Sequence, residues 1–213
     1  MYSNTVDILR SVTVTENIKN DIKKALREVK DGLRKYVKIM ELFRDKKIKI
    51  SENKEYQKLF TGFYRIRGNP EFFDGYYGFM DKHRDNVPSF EDTLDYLYKF
   101  GRLESSFASK LLATIDPKLP VWDKYILFHF GLGNQRTSTK MDKQKRINHA
   151  NTVYNKLQQG YKNFFTTEES RLWIELFDEH YPEYKELKSI KKIDLILWRI
   201  RNRCMYSILF PEE

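Results

Sequence analysis

The chain has 213 residues, 40% hydrophobic and 15% aromatic, enough for one sizeable core and too aromatic for a disordered protein. Lys and Arg (39) outnumber Asp and Glu (30); a net charge of +9 favours polyanionic partners, nucleic acid ahead of acidic membranes, although a solvated lysine coat gives the same figure. One cysteine, Cys204, leaves no internal disulfide and no cysteine-rich zinc site, and no apolar run reads as a signal sequence or approaches the ~18 residues of a membrane span, so a soluble, cytoplasmic protein is expected.

The first predicted element is a long amphipathic helix. Ile22, Leu26, Val29, Leu33, Tyr36, Met40 and Phe43 follow at alternating spacings of four and three, with Thr15 as the expected N-cap. Gly32 is the one weak helix former inside the run. Such a stripe either covers the protein's own core or, as three heptads, forms a dimer seam. From Ser51 to Met80 the pattern is aromatic and broken, and Gly68-Asn69-Pro70 forces a turn from which Pro70 can open a helix. Ser89 and Asp92 form a capping signature for a helix over Phe90 to Phe100, which Gly101 stops. A short helix over Ser105 to Ile115 leads to the turn Asp116-Pro117-Lys118-Leu119-Pro120, and Val121-Trp122-Asp123 opens a further helix to Phe130, closed by Gly131 and Gly133.

The stretch from Asn134 to Arg146 is polar and basic, an exposed loop running into a helix. Thr166 and Glu169 form a capping signature before Leu172 to His180, Pro182 breaks the chain, and Ile190, Ile193, Leu197 and Ile200 mark a last helix. No stretch alternates with period two. The expected architecture is all-α: a compact multi-helix globule forming a single domain over residues 1–213, with two helical lobes as the alternative and a hairpin region at 90–133.

Familiar catalytic patterns are missing. There is no phosphate-binding glycine loop, no paired Cys-x-x-Cys and no His-Glu-x-x-His, and His83, His129, His149 and His180 lie far apart, so no metal and no cofactor is expected. The informative stretch runs from Phe100 to Leu132, FGRLESSFASKLLATIDPKLPVWDKYILFHFGL, where a proline-bounded elbow delivers Asp123 to the start of a helix. Capping that helix would by itself explain the acid.

These thirty-three residues resemble the helix-hairpin-helix DNA glycosylases, whose signature is a hairpin of the form Leu-Pro-Gly-Val-Gly-x-Lys-Thr-Ala followed, after a proline-containing loop, by Val-Asp-Thr-His-Val. Aligned without gaps, Asp123 falls on that family's catalytic aspartate and Gly101, 22 residues earlier, on the first hairpin glycine. Leu103 replaces the second glycine, and Ser105 stands where bifunctional members carry a lysine nucleophile. The resemblance therefore implies a divergent, monofunctional member acting on duplex DNA; the sequence leaves the oligomeric state open, with a monomer as the expectation.

On that reading Gly101, Arg102, Leu103, Ser105, Ser106, Lys110 and Lys124 contact DNA, the hairpin presenting backbone N–H groups to a phosphate. Lys110, five residues past Ser105, is expected to point away from the nucleophile position. Asp123 would stabilise an oxocarbenium-like sugar or activate water, and Trp122, Tyr125, Tyr64 and Tyr77 are the candidates for holding a flipped base. For each aromatic, core filling is the competing explanation, since the chain has 15 Phe and 14 Tyr. Two basic clusters, Lys140 with Lys143, Lys145 and Arg146, and Arg199 with Arg201 and Arg203, either meet phosphates or form solvated faces; on a helix Arg199 and Arg203 would share a face that Arg201 does not. Two other functions stay open: a non-catalytic helix-hairpin-helix DNA-binding module, and a helical interaction protein dimerising through its first helix.

Overall fold

The computed structural model describes residues 3–101, 103–133 and 141–200, with the backbone alone for 3–15. Arg102, Lys140, Arg201, Arg203 and Cys204 lie outside the described residues. Within them the chain is all-helical: α1 (Ser3–Arg44), α2 (Lys54–Tyr64), α3 (Pro70–Lys82), α4 (Phe90–Tyr98), α5 (Ser105–Ile115), α6 (Lys124–His129), α7 (Lys143–Phe164), α8 (Glu168–His180) and α9 (Ser189–Leu197), with one 3₁₀ turn over Pro182–Tyr184. None of these helices is long and apolar enough to cross a membrane.

Side-chain oxygens set several of the boundaries. Asn53, Asn69, Ser89, Asp142 and Thr167 each accept a backbone N–H at the start of their helix, and Pro70 occupies the first turn of α3. Two expected caps move. Helix α1 begins at Ser3, so Thr15 lies inside it. The cap of α8 is Thr167, which accepts from the Ser170 N–H, while the neighbouring Thr166 hydroxyl donates back to the Asn163 carbonyl.

The stripe on α1 is consumed within the chain. Ile22, Leu26, Val29, Leu33, Tyr36, Met40 and Phe43 are all buried, and α1 packs against α2, α8 and α9. That stripe is therefore not free to form a dimer seam. Helix α2 sets Tyr56 and Phe60 against Tyr76 and Tyr77 of α3, and Phe90 of α4 stacks on Tyr154 of α7 at 4.0 Å.

Helix α9 is buried on every side. Besides the predicted apolar stripe, Lys191, Lys192 and Asp194 are inside. The Lys191 ammonium meets Asp194 Oδ2 at 3.0 Å and lies 5.1 Å from the Tyr36 ring, while the Tyr161 hydroxyl donates to the other Asp194 oxygen. Burial raises the Asp194 pKa, against the pull of Lys191. Sequence periodicity missed these three because charged residues are buried only when paired.

The elbow between α5 and α6 is pinned from both sides. The Trp122 N–H donates to Ser109 Oγ at 2.8 Å, and the Tyr154 hydroxyl donates to the Pro120 carbonyl at 3.0 Å. These bonds fix the direction in which the chain enters α6, and with it the position of Asp123.

Candidate functional site

Asp123 is in the extended conformation just before α6, and its Oδ1 accepts the Tyr125 N–H at 2.9 Å. The residue is therefore a helix cap, as its position in the sequence allows. It is also only half-buried, and no hydrogen bond from a described residue reaches its second oxygen. Asp123 belongs to the wall of a cavity of about 290 Å³ bordered by α1, α2, α5, α6 and the end of α9.

Each wall brings its own chemistry. Helix α1 contributes Asp31, Gly32 and Lys35; α2 contributes Gly62, Phe63 and Tyr64, with Arg65 at its end; Lys110 comes from α5 and Tyr125 from α6; Trp198 and Arg199 follow α9. Four cations thus face two carboxylates. Lys35, Arg65 and Arg199 form no ion pair with a described residue, whereas elsewhere Lys143 pairs with Asp95 and Lys145 with Asp142. Unpaired cations gathered round a concavity leave a positive field there for a partner to neutralise.

Lys110 is buried to 7% exposure, its Nζ donating to the Tyr64 carbonyl at 3.0 Å and to Ser106 Oγ at 2.9 Å. Burial lowers its pKa, opposed by the charges of Asp123 and Glu104. Lys110 lies about 140° round the helix from Ser105 and borders the same cavity as Asp123.

The four aromatic candidates divide. Tyr64 and Tyr125 border the cavity, joined by Phe63 and Trp198, whose rings meet edge-on at 5.5 Å. Trp122 turns inward and stacks parallel to Phe90 at 6.1 Å. Tyr77 is 1% exposed, its hydroxyl engaged with Thr61 Oγ1 and the Gln57 carbonyl. Tyr77 is a core residue, and Trp122 packs partly buried against the core. Lys124 is exposed, with its Nζ 4.6 Å from the centre of the Tyr125 ring.

The hairpin keeps the first glycine's geometry and little more. Gly101 has φ +96, a conformation that favours glycine, and a Cβ there would meet open space. Leu103 packs against the core, the Ser106 hydroxyl accepts from Lys110, and Ser105 opens α5. Glu104 stands at the N-cap of α5, which adds an acidic residue to this turn. The basic clusters are also less free than expected, because Lys143 and Arg146 lie over the Tyr98 ring at 5.1 and 6.0 Å.

No family model matches the chain, and neither the curated proteins nor the solved structures return a match. The site rests on its own geometry. Among the described residues no group of His, Cys, Asp and Glu is arranged to hold a metal ion.

Sequence reasoning missed Asp31, Lys35, Phe63, Arg65 and Trp198. One signal was present, since Gly32 interrupts an otherwise strong helix beside the cavity; Arg65 shows itself only in the structure, at φ 53, the one non-glycine residue with positive φ among those described. A side chain held in that region costs about 1–3 kcal/mol, and such outliers gather at functional sites.

Proposed function

We propose that the cavity at Asp123 is a DNA-binding site in which a flipped nucleotide loses its base by hydrolysis of the N-glycosidic bond. The observation that carries this reading is the half-buried Asp123 carboxylate at the wall of a cavity bordered by aromatic rings and unpaired cations. A carboxylate there can stabilise positive charge on the sugar as the bond to the base breaks, and can take a proton from the water that adds to the anomeric carbon. Tyr125 and Trp198 offer faces for the base, while Tyr64, buried to 2% exposure, backs the pocket, and Lys35, Arg65 and Arg199 offer charge to the flanking phosphates. The resemblance over Phe100 to Leu132 supports the reading at Asp123 and Gly101, while Leu103 and Glu104 give the hairpin a smaller share in holding DNA than the resemblance implies.

The test is base release from a panel of damaged duplexes by wild-type protein and Asp123→Asn. Release should fall by a factor of about 100 or more in the variant. Affinity should stay within about threefold, since the lost interaction belongs to the transition state. Salt-dependent DNA binding with no base released from any substrate would overturn the hydrolase and leave a non-catalytic binding module.

A further inference from the structure

The cations that flank the cavity come from α1, α2 and α9, and those of α2 do not stop at its edge. Lys54, Lys58 and Gly62 follow one another at four-residue intervals, so they share one exposed face with about 6 Å of rise between neighbours. Gly62 borders the Asp123 cavity and also a second hollow of about 510 Å³ between α2 and α3, which Lys54, Lys58, Phe73 and Tyr77 line. Packing does not require this glycine, since a Cβ would meet nothing within 4 Å. Glycine inside a helix costs about 1 kcal/mol relative to alanine. What it does here is keep the saddle between the two hollows low.

The second hollow carries the chemistry of a strand-binding groove. Phe73 is half-buried, one side of its ring stacked on Tyr77 at 6.2 Å and 17°. Lys58 has no ion pair with a described residue, and Lys54 bonds only the Gln57 side chain, at 3.3 Å. Asp74 also borders the groove, which leaves two ammonium groups to one carboxylate. Cations along a track beside an aromatic face suit an unpaired nucleic-acid strand, whose phosphates and bases they meet in turn.

We infer that a single strand of nucleic acid, continuous with the nucleotide in the Asp123 cavity, crosses α2 at Gly62 and lies in the α2–α3 groove, with phosphates at Lys54 and Lys58 and a base on Phe73. This rests on the cavity being a DNA site. It assigns backbone contacts with the strand to α2.

The test is fluorescence anisotropy with a single-stranded oligonucleotide of about 15 nucleotides over a series of salt concentrations. The proteins are wild type, Lys54→Gln/Lys58→Gln, Gly62→Glu and, as a control, Lys156→Gln on the exposed face of α7. The double variant should bind about tenfold more weakly, with a slope of log affinity against log salt shallower by about 1.4. Gly62→Glu should bind more weakly with its helix content intact, and Lys156→Gln should match wild type. Wild-type affinity and slope in the double variant overturn the track, and so does polyglutamate that competes as well as DNA at equal charge. If base release at Asp123 persists while the double variant is silent, the track alone fails. If wild-type protein binds neither this oligonucleotide nor the damaged duplexes, the cavity reading falls with it.

Discussion

Each oxygen of Asp123 has a different environment, and substitution can separate them. Oδ1 satisfies a free N–H at the start of α6, and asparagine does this as well as aspartate. Asp123→Asn should therefore unfold within about 0.5 kcal/mol of wild type, while Asp123→Ala, which leaves that N–H without its cap, should lose about 1 kcal/mol. Urea titration followed by circular dichroism measures both. Equal losses in the two variants would mean that the charge, and not the cap, holds the residue in the fold. Lys110 likewise joins structure to site: its ammonium satisfies the Tyr64 carbonyl at the end of α2 while standing at the cavity wall.

Arg65 shows the same conflict at the scale of an element. It closes α2 in the left-handed conformation, its N–H donating to the Thr61 carbonyl, in a place where glycine is the usual residue. Arg65→Gly should raise stability by about 1 kcal/mol and lower DNA affinity, because the strain is relieved and a cavity cation is lost. Thermal unfolding and anisotropy on the same samples check it; a variant less stable than wild type would show that the side chain packs rather than binds. Element identity was largely legible. Ser89, Pro70 and the glycine at 101 marked real boundaries, and α5 spans Ser105–Ile115 as its pattern predicted. Caps with two adjacent candidates were not, since Thr166 and Thr167 differ only in which hydroxyl faces the helix start. Arg65 gave no sequence warning, because positive φ in a non-glycine residue is imposed by tertiary packing.

At the scale of the whole molecule, the cavity joins residues near positions 31, 64, 110, 123 and 198. Only Asp123, Tyr64, Tyr125, Lys110 and Arg199 among its lining could be suspected beforehand, because local periodicity says which face of a helix is apolar but not which helices meet. The core is more predictable, and its chemistry has a consequence. Tyr36, Tyr56, Tyr64, Tyr76, Tyr77, Tyr154 and Tyr161 are at most 2% exposed. Burial raises the pKa of Tyr36 to about 12, opposed by Lys191, and that of Tyr77 to about 12, opposed by its bond to Thr61; it drives Tyr56, Tyr76 and Tyr161 well above the tyrosine range. An unfolded chain gives up these protons near pH 10, while the folded protein keeps them. Above pH 10 the unfolded state binds fewer protons, so stability is complete below that pH and falls as pH rises toward 12. A shift of two pH units is worth about 2.7 kcal/mol, so Tyr36 and Tyr77 alone would remove a large part of a stability of about 5–15 kcal/mol. The protein should therefore unfold cooperatively between about pH 10 and 12, with the steep rise in tyrosinate absorbance coinciding with loss of the helical signal in the far ultraviolet. Full tyrosinate absorbance with the helices intact would contradict this, and would mean that water reaches the hydroxyls without opening the core.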